Sequence, residues 1–294
     1  MSLSAHLWMK SRHRLGESMI WHVARQCWFW VDLLDPALFC HDPATGKTER
    51  RELPLPPPIG SIAATTDANL LMLAHRGGLS VLDVRDLEMS PYCDPEAGRD
   101  AIIYNDIKVD RWGRLWVGTS HEKELEARGA LWCVESQTKW GLADAGFAIS
   151  NGPAFSRDGR TLYFNDSLGR TTFAYTIAPD SLIARNRRVF VQHEEQDGLP
   201  DGVVVDAAGN VWMAQWAGSA LLCFDDTGKL QQRIAVPSVH VTTLGFGGAG
   251  LDEVRITTAT DGAAPEKLLA LPLSGSVFRL DGAGVGVAEP LFRL

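Results

Sequence analysis

No apolar stretch in this chain approaches the ~18 residues needed to span a bilayer, so a transmembrane helix is not expected. The first residues, Met1-Ser2-Leu3-Ser4-Ala5-His6-Leu7-Trp8, lack the basic segment and apolar run of a secretory signal. Cysteine is sparse. Cys27, Cys40, Cys93, Cys133 and Cys223 are odd in number, widely spaced and free of any C-x-x-C pair, which reads as reduced thiols in a cytoplasmic protein. The sequon Asn165-Asp166-Ser167 is then not expected to carry glycan. No block of like positive charge exists, and the net charge is −8, which argues against nucleic acid or an anionic membrane as partner. No obligate protein partner is indicated either.

Familiar catalytic signatures are missing too. There is no G-x-x-x-x-G-K-[ST] and no G-x-S-x-G, and His121-Glu122 and His193-Glu194 lack the second histidine of H-E-x-x-H. Gly245-Phe246-Gly247-Gly248-Ala249-Gly250 fits G-x-G-x-x-G, but no helical pattern follows it, so a dinucleotide site is not expected. Lone histidines such as His22 and His240 are more often core or rim residues than bases.

What the chain does have is a repeat. Arg111-Trp112-Gly113 leads into Arg114-Leu115-Trp116-Val117, Arg157-Asp158-Gly159 into Arg160-Thr161-Leu162-Tyr163-Phe164, and Ala207-Ala208-Gly209 into Asn210-Val211-Trp212-Met213. Each is a turn feeding an apolar, aromatic-rich strand. Weaker copies lie around Arg25, Ala68 and Gly250, giving turn positions spaced by 43, 45, 46, 50 and 41 residues. That period, with several short strands per unit and no long amphipathic helix, predicts an all-β fold: a six-bladed β-propeller with a central channel, forming one domain over residues 1–294. Phe29–Asp32 and Leu38–His41 read as middle and outer strands of the first blade. The linkers Asp42–Gly46 and Asp225–Gly228 read as turns. Leu53-Pro54-Leu55-Pro56-Pro57-Pro58 reads as edge and connector rather than a polyproline ligand. The charged stretch 122–128 reads as a loop over one face. Lys267–Ala270 and Ser276–Leu280 read as last strands, closing the ring against an N-terminal strand.

Eight residues before the six turns stand Glu17, Gly60, Asn105, Asn151, Asp201 and Thr242, none of them large and apolar. The innermost strand of each blade lines the channel, so one register gathers these positions around one opening. Two carboxylates and two carboxamides there form an all-oxygen donor set suited to one divalent ion: Ca²⁺, Mg²⁺ or Mn²⁺, and less exclusively Zn²⁺ or Fe²⁺. Without an ion, two carboxylates in a narrow channel repel, and one takes up a proton at raised pKa. Taken singly, Asn151-Gly152 and Asp201-Gly202 read as hairpin dipeptides, and Asn105-Asp106 as a turn or capping pair. The shared register favours a metal or ligand site.

At these residues the chain resembles the SMP-30/gluconolactonase/LRE family of regucalcin and bacterial sugar lactonases. Leu15-Gly16-Glu17 with Trp21 and Phe29–Asp32 is similar to the family's opening block. Asn105-Asp106 with Asp110–Thr119 is similar to its N-D-x-x-x-D-x-x-G-x-x-W-x-G-T block. Ser150–Ser156 with Tyr163–Ser167 is similar to the third block, Pro200-Asp201-Gly202 with Asp206 and Gly209 to the fourth, and Phe246–Gly248 with Thr257–Ala259 to the fifth. The resemblance implies a metal-dependent lactonase that opens a sugar lactone to the aldonic acid. It assigns Glu17, Asn151 and Asp201 to the metal and Asn105 to substrate or a metal-bound water; Asp201 is read in addition as the general base. Asp106 would support Asn105, and Glu122 would reach substrate, standing with Lys123 where some members have a Glu-Glu pair. Other departures are Ser18-Met19 in place of Gly-Pro, Ile103 in place of an arginine, and Ile107 in place of a glycine. They alter the substrate pocket more than the donor set. A phosphotriesterase-like hydrolase and a non-catalytic metal-binding propeller are the alternative expectations.

Overall fold

A computed structural model describes residues 3–124 and 126–294. Six four-stranded antiparallel sheets follow one another around a ring. Their innermost strands are Gly16–His22, Ile59–Ala64, Ile102–Val109, Ser150–Phe155, Leu199–Val205 and His240–Gly247, numbered here as blades one to six. In blades one to five the other three strands follow in chain order. Blade six is composite: Glu253–Ala259 and Val277–Leu280 follow the inner strand, and Ala5–Met9 from the start of the chain pairs with Val277–Leu280 as the outermost strand. The ring is thereby closed by joining its two ends, as the sequence predicted.

The apolar content is spent on seams rather than on one central core. Val31, Leu38, Ile62 and Leu73 fill the seam between blades one and two. Trp116, Phe147, Leu162 and Phe164 fill that between blades three and four. Trp21, Trp28, Trp30 and Val277 seal blade six against blade one. Each fully buried aromatic or aliphatic side chain contributes about 1.5–3 kcal/mol by leaving water.

The repeated turn has a specific construction. In blade three the Asp110 carboxylate accepts bonds from the backbone N–H groups of Trp112 and Arg114 at 2.9 and 3.0 Å, and from the Trp116 indole at 2.8 Å. Blade five repeats it: Asp206 accepts from Ala208 and Asn210 at 2.9 and 2.8 Å and from the Trp212 indole at 2.9 Å. Gly113 and Gly209 take positive φ, 82° and 93°, where a side chain would be strained. One aspartate thus ties the turn to the next strand's tryptophan, which explains the D-x-x-G-x-x-W spacing.

Two details differ from the sequence reading, in the last blade and the first. Lys267–Ala270 belongs to a short α-helix, Pro265–Ala270, rather than a strand. Proline at its start and Glu266 in the first turn favour a helix, and Leu269 is 83% exposed, so its apolar pair covers no core. In blade one, Ala37–Asp42 is the third strand and Lys47–Glu52 the outermost. The stretch 122–128 is an irregular loop in the described residues, with Leu125 outside them. The residues 53–58 form a connector, and the turns at Asp42–Gly46 and Asp225–Gly228 are present. Among the described residues no helix is long and apolar enough to cross a membrane.

Candidate functional site

Every inner strand carries a one-residue bulge, and every bulge falls at the ring of polar residues. Glu17 pairs with Val31 but Ile20 with Phe29, so three steps on one strand match two on the other. The same offset occurs between Ile59 and Ile62, Tyr104 and Ile107, Asn151 and Ala154, and Pro200 and Val203, and a shorter one between Val241 and Thr243. A bulge re-aims the side chains around it. Here it lets two consecutive residues, such as Asn105 and Asp106, both take part in the ring. Asn151-Gly152 and Asp201-Gly202 are therefore inside strands, not at hairpin tips. Gly152 adopts φ 76°. A Cβ on Gly202 would lie 2.2 Å from Thr243 Oγ1, so blades five and six approach as closely as glycine allows.

Glu17, Asn151 and Asp201 are buried, 4%, 8% and 5% exposed. Asn105 and Asp106 are half-buried. Asn105 Nδ2 donates to Asn151 Oδ1 and to the Ser150 carbonyl, both at 2.8 Å, joining blades three and four. Asn151 Nδ2 donates to Ser167 Oγ at 2.8 Å, and Ser167 Oγ donates to the Pro200 carbonyl at 2.6 Å, joining blades four and five. Asn165 Nδ2 donates to the Asp201 carbonyl at 2.6 Å, and Asn165 Oδ1 accepts from Thr172 Oγ1 at 2.7 Å. Asp106 accepts from Ser61 Oγ at 3.0 Å and from the Gly152 N–H at 2.9 Å. Ser61 Oγ also contacts the Asn105 carbonyl at 3.0 Å, so Asp106 and Asn105 share that partner.

The electrostatics bind these residues into one group. Burial pushes the Glu17 carboxyl well above its usual range, and the charges of Asp201 and Asp106 push it further. Burial does the same to Asp201, again with a contribution from Asp106. Asp106 is raised by burial as well, against the pull of its Gly152 and Ser61 hydrogen bonds. Three carboxyl groups thus feel one another in a low-dielectric channel, one more than register alone identified. Among the described residues no three histidine, cysteine, aspartate or glutamate side chains are arranged as a ready metal-binding group. A ligand set here therefore needs the Asn151 carboxamide beside Glu17 and Asp201. Asn151 Oδ1 accepts one hydrogen bond from Asn105 and keeps a second lone pair.

Other ring positions have structural duties. Thr242 is fully buried and its hydroxyl donates to the Gly16 carbonyl at 2.6 Å, tying blade six to blade one. A Cβ on Gly60 would lie 2.7 Å from Ala74 Cβ, so glycine there serves packing. Glu122 stands in the loop after the second strand of blade three, where Arg76 Nη1 donates to its Oε2 at 2.9 Å. Ser61 and Arg76 were not singled out by sequence, and Asn165 and Ser167 appeared there only as a sequon and within the family's third block, with no role in the site. Ser61 and Ser167 carried a faint signal, each lying one residue from a position already marked. Below the ring the channel is lined by Ser18, Ser61, Asp106 and Val203. Its far end is crossed by the C-terminal segment, where Glu289 pairs with Lys108 at 2.8 Å and Phe292 is fully buried.

Fold and site define a class: a six-bladed propeller whose channel holds a buried carboxylate and carboxamide cluster at one mouth. Residues 15–260 match the family SMP-30/Gluconolactonase/LRE-like region, and the chain belongs to it. It is 33% identical to a pentonolactonase of Haloferax volcanii, over 95% of this chain and 94% of that protein. It is 30% identical to a 6-deoxy-6-sulfogluconolactonase of Pseudomonas putida, over 95% and 94%. Among solved structures it superimposes on a calcium-binding protein, regucalcin, of Agrobacterium tumefaciens with a TM-score of 0.92 at 26% identity, covering 100% of this chain and 99% of that one.

Proposed function

We propose that this protein is a sugar lactonase that opens a lactone ring to the aldonic acid at the channel mouth, with one divalent cation held by Glu17, Asn151 and Asp201. The observation that carries this reading is the donor set itself. Buried carboxylates that raise one another's pKa, next to a carboxamide oxygen, form a hard-oxygen site whose charge matches a divalent ion. The named lactonases at about 30% identity support the reaction class.

Bound there, a divalent cation would polarise the lactone carbonyl and offset the charge that develops on its oxygen. The chain's residues would do the rest. Asp201 takes a proton from the attacking water as the new C–O bond forms, and returns it to the ring oxygen as the old C–O bond breaks. Asn105 spends both Nδ2 hydrogens on Ser150 and Asn151, which leaves Oδ1 to accept from a substrate hydroxyl. Asp106 fixes the approach of blades two, three and four through Ser61 and Gly152, and would add negative charge to the site. Glu122 meets the substrate from the rim. The five free thiols fit a reducing compartment, in keeping with a cytoplasmic enzyme.

The test is a pH-stat screen of γ- and δ-aldonolactones, with and without Ca²⁺, Mn²⁺, Zn²⁺, Mg²⁺ and Fe²⁺. Metal-stimulated acid release from at least one lactone is expected. Absence of turnover on every lactone, in a protein that binds the metals, would leave a metal-binding propeller without this activity.

A further inference from the structure

Arg76 touches none of the ring residues in the hydrogen bonds above, yet it bridges two neighbouring blades at the same rim. It sits in the turn between Leu70–His75 and Gly78–Asp83 of blade two. Its Nε donates to the Pro57 carbonyl at 3.2 Å, and its Nη1 donates to Glu122 Oε2 at 2.9 Å. Pro57 lies two residues before the inner strand Ile59–Ala64. Glu122 follows the second strand of blade three, and its backbone N–H bonds the Ala101 carbonyl at 2.8 Å, one residue before the inner strand Ile102–Val109. Both anchors thus lie at the end of the inner strands where the polar ring begins. The pair spans blades two and three, and its side chains keep 38% and 28% of their surface open.

The pair has spare capacity of two kinds. Arg76 Nη2 and Glu122 Oε1 have no hydrogen-bond partner among the described residues. A hydroxyl group both donates and accepts, so a donor and an acceptor held side by side match a vicinal diol. An anionic substituent matches poorly: the guanidinium charge is already offset, and the nearer free oxygen is a carboxylate's. The Arg76 hydrogen bond also holds the Glu122 pKa below its usual value, so the carboxylate is charged at neutral pH. Ile103, two residues before Asn105 on the same strand, adds no charge.

We infer that Arg76 is a specificity-determining residue, holding Glu122 so that the two read the hydroxyl groups of an uncharged polyhydroxylated lactone and disfavour lactones bearing a sulfonate or phosphate. This rests on the lactonase reading and deepens it. The experiment compares wild type, Arg76→Ala, Arg76→Lys and Glu122→Gln on D-glucono-δ-lactone and on the same ring carrying a sulfonate at C6, with melting curves to verify folding. Loss of two charge-assisted contacts should raise KM for the neutral lactone about 10-fold in Arg76→Ala, with kcat falling less, and Arg76→Lys should lie between. Glu122→Gln should shift the preference between lactones toward the sulfonated one by about 10-fold. Wild-type KM in Arg76→Ala together with an unchanged preference in Glu122→Gln would overturn the inference while leaving the lactonase reading intact. If wild type opens neither lactone, the lactonase reading is decided by the wider aldonolactone screen, and calorimetric titration with the neutral gluconolactam decides on the pair. Equal binding, or none, by wild type and Arg76→Ala then overturns it, whereas weaker binding by Arg76→Ala supports it.

Discussion

Ser167 bears no charge and touches no substrate in this account, yet replacing it should disturb both stability and cation binding. Its hydroxyl accepts from Asn151 Nδ2 at 2.8 Å and donates to the Pro200 carbonyl at 2.6 Å, in a site 3% exposed. Ser167→Ala removes both bonds and leaves a buried N–H and a buried C=O without a partner. At about 1–3 kcal/mol for each such group, discounted for relaxation and for entry of water, the loss should be roughly 2–4 kcal/mol. For a domain of this length that is a fall in Tm of roughly 3–6 °C. The same contact aims Asn151 and sets its distance from the Asp201 strand, so divalent-cation affinity should fall about 10–100-fold, the usual effect of removing the support of a ligand. Urea unfolding of the metal-stripped protein measures the first quantity, and Mn²⁺ titration calorimetry measures the second. In an Asn151→Ala background the change at Ser167 should add little to the affinity loss, because the side chain it aims is gone. Undiminished affinity in folded Ser167→Ala would refute the role given to the seam between blades four and five.

Other expectations follow from the same geometry. Gly202→Ala should cost roughly 2–4 kcal/mol, because its Cβ would meet Thr243 at 2.2 Å, and the urea midpoint would report it. Phe292→Ala should cost about 3–5 kcal/mol as a large-to-small change at a fully buried site, seen in the same assay. The third concerns pH. Asp201 has its folded pKa raised, so in metal-free protein it costs stability above that pKa and nothing below its unfolded value near about 4. Metal-stripped Asp201→Asn should therefore be more stable than wild type at pH 8 in urea unfolding, and the gap should close as pH falls toward about 4. A gap that widens on acidification would mean that Asp201 is stabilised as a carboxylate by the fold.

The ring of blades was legible because a turn feeding an apolar, aromatic-rich strand recurs at spacings of 41 to 50 residues. The site was legible for a related reason. From ring residue to turn every inner strand runs the same length, so a constant offset in sequence became one level along the channel. The bulges were not legible, since a bulge changes pairing without changing spacing. Their only traces were Gly152 and Gly202, which read as turn residues until blade-to-blade distances explained them. That is also why Asp106, adjacent to Asn105 and expected to point away in a regular strand, joins Glu17 and Asp201 electrostatically. Thr242 and Gly60 looked like members of the mouth because register selects a level and not a direction. The helix Pro265–Ala270 was mistaken for a strand through Leu268 and Leu269, although the proline before them was a helix-start signal. Arg76 and Glu122 are 46 residues apart, and only the closure of neighbouring blades brings them together.

The most direct test of the account is turnover followed against cation occupancy. Metal-stripped protein is titrated with Mn²⁺ while acid release from a responsive aldonolactone is recorded by pH-stat, in wild type and in Asp201→Asn. Turnover should be absent at zero metal, rise to a plateau at one equivalent in wild type, and stay lower by about 10³-fold or more in Asp201→Asn at any metal concentration. Undiminished turnover in the stripped protein, or near wild-type turnover in Asp201→Asn, would contradict it.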